Sequence, residues 1–376
     1  MDSTYTDMLL RQIAKELDIT EEKYKKAVTS YNAVGSYLSN HINSGVDIFS
    51  QGSFRLGTVI KPLSDEDDYD IDLVCRINKH YSDPKSLKQE VGRALKDSDR
   101  YSKMLQDEGK RCWTLQYSDE AQYHMDILPA INDITYSINK KLKITNKDED
   151  TETYEFVTTN PEAYFEWFNE RQQEEKQRLI KSYAFQNNQK IEDVPEYKVK
   201  TTLQITLQIL KRYRDKKFKD NLENKPISII LTTIMAQIYA GENDVYELIK
   251  KFASNCHKYV IIKNGIEWVE NPVNSEENFA DKWQIYPERK TAFNFFMAEL
   301  KRDIANNTFL TSGNLLDTSE RYKKMFGTTI VERAYASIGN NSKILRENGN
   351  MYIKDDGTLN FEQKGHKVKE HNFYGK

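Results

Sequence analysis

Gln51-Gly52-Ser53-Phe54-Arg55-Leu56-Gly57-Thr58 is followed shortly by Tyr69-Asp70-Ile71-Asp72-Leu73. On a strand successive side chains face opposite ways, so Asp70 and Asp72 leave one face while Ile71 and Leu73 pack on the other. Two carboxylates so placed repel, and each raises the pKa of its neighbour unless a cation stands between them. A divalent ion resolves the conflict. An all-oxygen set suits magnesium or manganese, which complete their coordination with water and substrate phosphates. A third carboxylate, Asp126 in His124-Met125-Asp126-Ile127-Leu128-Pro129, lies in another predicted strand and reaches the same face if the two strands are neighbours. The three would hold two metal ions roughly 4 Å apart, one activating a hydroxyl and the other clamping a triphosphate.

Just upstream, Val46 to Ser50 reads as a strand, Gly52-Ser53 as a turn, and the next residues as the opening of a short helix. Glycine lets backbone approach a phosphate closely, and amides at a helix start, with the Ser53 hydroxyl, can donate to its oxygens. A Gly-Ser turn by itself is ordinary, and so is an Asp-x-Asp. Their occurrence in this order, with a third strand aspartate, makes Gln51, Gly52 and Ser53 candidate nucleotide-binding residues and Asp70, Asp72 and Asp126 candidate catalytic and metal-holding residues.

Outward from this centre the periodicity changes twice. Before it, Leu9, Leu10, Ile13 and Leu17, then Tyr24, Ala27, Val28, Tyr31, Val34 and Leu38, recur at helical spacing, with Thr20 placed to cap the second of two helices. Around it, short branched or aromatic runs at Val46, Tyr69, Cys112 and Tyr123 predict a mixed sheet, with a helix from Ser86 to Leu95. Lys140 to Glu155 is charge-dense and reads as an exposed hairpin or loop rather than core. Asn160-Pro161 then caps and opens a helix. Further helices are expected over Val199 to Phe218, Ile227 to Tyr239, Val245 to His257, Pro287 to Asn306 and Gly313 to Phe326. Near the end, Asn348-Gly349 and Asp356-Gly357 bracket a small hairpin at Met351-Tyr352-Ile353, and Gln363 to Lys376 is too polar to pack. No internal repeat is visible.

The chain has 376 residues, enough for two core-forming units or one bilobal domain with a cleft. With 30% charged residues and a net charge of -3, it has the composition of a heavily solvated globular protein; wholesale duplex binding, which needs a basic face, is not suggested. No apolar run matches a bilayer, and Met1-Asp2-Ser3-Thr4 opens without a basic, apolar leader, so a cytoplasmic location without membrane association is expected. Cys75, Cys112 and Cys256 are scattered, and adjacent Cys256-His257 would point apart on a helix, so neither a disulfide framework nor a zinc site is spelled out. Trp113, Trp167, Trp268 and Trp283 offer stacking platforms but read mostly as core, and parity puts Tyr69 and Tyr123 on the face opposite the aspartates.

The Gly-Ser turn, Asp70-x-Asp72 and Asp126 resemble the signature of the polymerase-β nucleotidyltransferase superfamily. Gln-Gly-Ser-Phe-Arg-Leu-Gly-Thr and His-Met-Asp-Ile-Leu-Pro-Ala are similar to the bacterial cGAS/DncV-like nucleotidyltransferases, as are the stretches Leu207 to Asp215, Lys225 to Ile230 and Asn271 to Trp283. The resemblance implies an α+β fold: a bilobal polymerase-β-type core of mixed sheet with helices, plus a C-terminal helical lobe. Residues 1–159 would be N-terminal helices and nucleotidyltransferase core, 160–340 the helical lobe, and 341–376 a hairpin with a flexible tail. It also implies that Lys211 and Ser228 contact the donor triphosphate. Taken without it, Lys211, Arg212, Arg214, Lys216 and Lys217 end a helix favourably and stay in water, the alternative being that one of these charges faces a cleft and helps neutralise a triphosphate.

Further implications are a cyclic di- or trinucleotide second messenger made from nucleoside triphosphates, ATP among them with the second base open, two Mg2+ or Mn2+ ions, and a role in antiphage signalling. The animal member's zinc-binding DNA insertion has no counterpart here, so no DNA activator is expected. The ending His371-Asn372-Phe373-Tyr374-Gly375-Lys376 is similar to C-termini offered to a ubiquitin-transfer-like conjugation partner, though Lys376 follows the glycine; the plain reading is a frayed end. A linear transferase acting on an RNA end or small acceptor, and a nucleotide-binding pseudoenzyme, are the competing functions.

Overall fold

The computed structural model describes residues 3–64, 68–117, 123–133, 141–148, 150–311, 314–347, 352–353, 359–360 and 365–367. The chain divides into two compact units, one of residues 1–16 with 309–376 and one of residues 17–308.

The larger unit is built on one sheet. Its strands β1 (Val46–Ser50), β2 (Tyr69–Ile77), β3 (Trp113–Gln116), β4 (Tyr123–Asn132), β5 (Leu142–Lys147) and β6 (Tyr154–Thr159) run in the order β1-β2-β4-β5-β6, with β3 also paired to β4. The β2–β4 pair is parallel and the rest are antiparallel, so the sheet is mixed. Ile71, Leu73, Cys75 and Ile77 alternate to one face and are fully buried beside Tyr123, Met125 and Ile127. Helices α2 (Glu21–His41) and α4 (Pro84–Lys96) cover that face through Ala27, Val34, Leu38, Leu87, Val91 and Leu95. Thr20 caps α2, accepting from the Lys23 amide, and Asp83 with Pro84 starts α4. Trp113 lies against Gly92 of α4 and donates its indole N–H to the Lys88 carbonyl at 2.9 Å.

On the opposite face Val74, Leu128 and Ala130 form a second, smaller core with Leu142 and Ile144. This corrects the reading of residues 140–155: β5 and β6 do form a hairpin, but Leu142, Ile144 and Thr145 are buried and the hairpin extends the sheet. Dense charge masked the pattern, because Lys143 stands between the buried Leu142 and Ile144 and further charges follow from Lys147 on. The short helix α3 (Gly52–Arg55) follows β1.

From Asn160 onward the unit is mainly helical. It contains α5 (Pro161–Gln186), α6 (Thr202–Lys217), α7 (Ser228–Ile238), α8 (Val245–Asn255) and α9 (Pro287–Ala305). Asn160 caps α5 with Pro161 in its first turn, and a Thr201–Gln204 capping box starts α6. Between α8 and α9 lie four short strands that helical periodicity did not reveal: β7 (Ile261–Lys263), β8 (Ile266–Trp268), β9 (Glu270–Asn271) and β10 (Asn274–Asn278). Asn264 and Gly265 both have positive φ, 52° and 77°, as a two-residue hairpin turn between β7 and β8 requires.

The smaller unit contains α1 (Ser3–Leu17), α10 (Leu315–Phe326), α11 (Thr328–Glu347) and paired dipeptides β11 (Tyr352–Ile353), β12 (Leu359–Asn360) and β13 (His366–Lys367). Thr6 Oγ1 meets Thr311 Oγ1 at 3.1 Å, and Gln12 donates to Ser337 at 3.0 Å. Helix α11 escaped the sequence reading because Thr328, Thr329, Ile330 and Val331 open it with β-branched residues. His366 and Lys367, placed in the polar tail, pair with β11. Asn348-Gly349, Asp356-Gly357 and the ending from His371 lie outside the described residues.

Candidate active site

The parallel register of β2 and β4 aligns Asp70 with His124 and Asp72 with Asp126. All four project to the face opposite Ile71, Leu73, Tyr123 and Met125, which are buried. The three aspartates therefore share one edge of the sheet. His124 Nε2 lies 2.5 Å from Asp70 Oδ1, and that hydrogen bond raises the imidazole's pKa against the opposing effect of burial. Thr114, across from Asp126 on β3, donates its hydroxyl to Asp126 Oδ1 at 2.5 Å. Burial raises the Asp126 carboxyl, with the Thr114 bond partly offsetting it. Asp72 is pushed up to about 7, first by burial and then by the charges of Asp70 and Asp126.

The turn after β1 is tied to this edge by the Gln51 amide, which donates to the Asp72 carbonyl at 2.8 Å. Gly52 has φ +63°, and a Cβ there would stand 2.0 Å from Asp72 Oδ2. Only glycine allows the turn to lie so close to a carboxylate. The turn's far end docks on α6: Gln204 donates to the Leu56 carbonyl at 2.9 Å, and Lys211 Nζ donates to the Thr58 carbonyl and hydroxyl, each at 3.0 Å.

Lys211, Arg212 and Arg214 are buried at 4%, 2% and 5% exposure, so this part of the basic cluster does not stay in water. Each has protein partners. Arg212 donates to the Lys61 and Pro62 carbonyls, while Arg214 donates to Asp215, the Pro226 carbonyl and the Ser228 hydroxyl. Lys211 falls to about 7, chiefly through burial and next through Arg214.

Two cavities flank the Gly52 turn. One of about 390 Å3 is lined by Ser53, Asp70, Lys211, Arg214, Lys225 and Ser228 among others. The other, about 180 Å3, is lined by Gln51, Gly52, Arg55 and Asp72 together with residues of α5, α7, β9 and β10. Ser53, Lys211 and Ser228 thus meet in one cavity and Gln51 and Gly52 in the other, whereas Asp126 lines neither and stands beside Asp72 on the neighbouring strand. A larger cavity of about 630 Å3 runs along α5 and the end of α7 and contains none of these residues. Its Arg171 donates to the Ala236 and Tyr239 carbonyls and its Glu175 is taken up by Thr202 and Tyr239, so those polar groups already have structural employment.

Among the described residues, no three His, Cys, Asp or Glu side chains already stand as a metal cage. The physical reason is local: Asp70 is turned onto His124 and Asp126 onto Thr114. The donor chemistry nonetheless fits a hard divalent cation, since three carboxylates supply oxygen only and the raised Asp72 carries repulsion that a cation would relieve. Motif and periodicity single out neither Thr58, Thr114 nor Gln204, and give His124 no role. The parity of β3 against β4 signals Thr114; nothing local signals Thr58 or Gln204.

Comparison with known proteins agrees with this architecture. Residues 5–172 match the Second Messenger Oligonucleotide or Dinucleotide Synthetase domain. A "c-di-GMP synthase" of Roseivirga ehrenbergii is 29% identical over 308 residues, 80% of this chain and 79% of that protein. "Cyclic dinucleotide synthase CdnG" of Bradyrhizobium diazoefficiens is 23% identical over 352 residues, covering 87% of this chain and 82% of its own. The structure of the Bradyrhizobium CD-NTase CdnG in complex with GTP superimposes with a TM-score of 0.69 at 21% identity, covering 89% of this chain and 99% of that one. The polymerase-β-type fold, the aspartate-bearing sheet edge and the match over residues 5–172 are features the chain shares with the bacterial cGAS/DncV-like nucleotidyltransferases, the proteins it is similar to.

Proposed function

We propose that the chain is a cyclic dinucleotide synthase that joins two nucleoside triphosphates with release of pyrophosphate. The observation that carries the reading is the Asp72–Asp126 cross-strand pair with a cavity on each side of the adjoining glycine turn. The cavity with Ser53, Lys211, Arg214, Lys225 and Ser228 has the cations and hydroxyls a triphosphate needs, so it is assigned to the donor. The Ser228 hydroxyl accepts from Arg214 at 2.8 Å, which leaves its own proton to donate to a phosphate oxygen. The smaller cavity, next to Asp72 and with Arg55 its lining cation, is assigned to the nucleotide that supplies the hydroxyl.

Asp70, Asp72 and Asp126 would hold two Mg2+ or Mn2+ ions, which when bound neutralise triphosphate charge and ease ionisation of the ribose hydroxyl. The hydroxyl would lose its proton beside Asp126, which stands next to Asp72 on the neighbouring strand, with that carboxylate or water taking it up. The ribose oxygen forms a bond to the α-phosphorus as the α–β phosphoanhydride bond breaks, and pyrophosphate leaves. A second round with the intermediate turned around closes the ring. The relatives' names favour GTP as a substrate, and ATP, expected from the resemblance, is the candidate for the other position. The same kinship motivates a second-messenger role in antiphage signalling.

The test is incubation with all four ribonucleoside triphosphates and Mg2+, followed by product mass and phosphatase treatment. A product that keeps its mass under phosphatase supports ring closure; one that loses terminal phosphates is linear and favours the competing transferase. Pyrophosphate release that persists in Asp70→Ala with Asp72→Ala would sink the active-site assignment.

A further inference from the structure

Glu277, on β10, lines the 180 Å3 cavity together with Gly52 and Asp72, so it borders the space assigned to the hydroxyl-bearing nucleotide. Its partners in the protein are neutral amides: Asn271 Nδ2 donates to Oε2 at 2.8 Å, and the Asn274 amide also favours the carboxylate. Among the described residues it belongs to no ion pair, and burial pushes its carboxyl above the usual range despite the Asn271 bond, the charge of Arg111 and the Asn274 bond. A half-buried carboxylate with no ion-pair partner is costly, and N–H donors brought to its remaining oxygen lone pairs offset that cost further.

The remaining walls show what that something is. Tyr164, Phe165, Ile229 and Phe279 give the cavity apolar and aromatic sides suited to a flat ring. The Tyr164 and Phe279 rings stand 6.0 Å apart at 84°, fixing a corner rather than closing the space. Of the four common bases, guanine alone presents two adjacent N–H donors, N1–H and the N2 amine, in the side-by-side geometry that a carboxylate accepts. Adenine turns a ring-nitrogen acceptor toward the same oxygens, cytosine offers a single amine next to an acceptor, and uracil offers one N–H between two carbonyls.

We propose that Glu277 selects guanine in the nucleotide that supplies the attacking hydroxyl, accepting hydrogen bonds from N1–H and N2–H while Asn271 holds its carboxylate in place. This rests on the reading of the two cavities as donor and acceptor sites. A site built around paired hydrogen bonds rejects the base that lacks them far more strongly than an apolar pocket does, because the wrong base leaves the carboxylate buried and unmatched.

The experiment separates acceptor from donor chemically. Dideoxyguanosine triphosphate has no ribose hydroxyl and can only donate; α,β-methylene analogues of GTP, inosine triphosphate and ATP cannot donate and can only accept. Wild-type protein given the donor and Mn2+ with pairs of acceptors in competition should form the guanine adduct over the adenine adduct roughly ten- to a hundredfold, with inosine, which lacks the N2 amine, in between. Glu277→Gln should still form adducts but lose most of the guanine preference, and Glu277→Asp should restore part of it. Equal use of guanine and inosine by the wild type, or a Glu277→Gln preference identical to wild type, would overturn the assignment. The guanine–inosine comparison needs no variant, so it decides the matter even where a substitution harms folding. Absence of any adduct with every acceptor would instead remove the transferase reading itself, and this inference with it.

Discussion

Gly52 shows how much chemistry one missing side chain supports. Its φ of +63° and the 2.0 Å that a Cβ would leave to Asp72 Oδ2 mean that Gly52→Ala must move either the turn or the carboxylate. Because displacement of about 1 Å at a reacting centre costs on the order of a hundredfold in rate, Gly52→Ala should lower pyrophosphate release by about that factor. Alanine at positive φ is strained, so its melting curve should fall modestly while the fold persists, and outright loss of cooperative unfolding would show instead that the turn is a folding element.

Lys211 carries a pH dependence whose sign follows from its environment. Burial and Arg214 bring it down to about 7, so in the free protein it is charged at pH 6 and largely neutral at pH 8. A bound triphosphate favours the charged form and raises that value again. Binding at pH 8 should therefore take up a proton, whereas binding at pH 5.5 should not, and affinity should fall as pH climbs past about 7. Titration calorimetry in buffers of different ionisation enthalpy reads the proton directly; uptake that is the same in Lys211→Met would contradict the assignment.

At the level of elements, what a one-dimensional pattern can encode was legible. Parity placed Asp70 and Asp72 opposite Ile71 and Leu73, helical spacing revealed α2 and α6, and Thr20 and Asn160 marked helix starts. What the sequence withheld depends on partners distant along the chain. Leu142 and Ile144 count as core only because Val74 and Leu128 face them, and Lys211 is buried only because Thr58 arrives from the other side of the unit. The β7–β8 hairpin was detectable from Asn264-Gly265, a turn signal outweighed by the helices on both sides. Element packing also yields a test. A Cβ at Gly92 would sit 2.3 Å from the Trp113 ring, so Gly92→Ala should destabilise the fold by about 1–3 kcal/mol from overpacking, despite alanine's higher helix propensity. Chemical denaturation reads the change, and a stabilised variant would mean that the α4–Trp113 contact is looser than described.

Across the whole molecule, 55 basic and 58 acidic residues leave a net charge of -3, and the buried cations Lys211, Arg212 and Arg214 are spent inside the large unit rather than displayed. A polyanion finds little to hold by counterion release. Adding duplex DNA or RNA should leave the rate of pyrophosphate release unchanged within a factor of about two at 50 mM salt, where such attraction would be strongest. Stimulation by either duplex would overturn this expectation. Among the described residues no helix is long and apolar enough to cross a membrane.

The parallel partnership of β2 and β4 also sets where length can vary among descendants of this sequence. Inserting one residue within Tyr69–Ile77 or Tyr123–Asn132 would swap inward and outward positions along the rest of that strand, burying aspartates and exposing Ile, Leu and Met in a single event. The connection between Ile77 and Pro84 carries no such parity. Variation by insertion and deletion should therefore collect there while the two strands keep their length, so that the spacing from Asp70 to Ile77 is inherited as a unit.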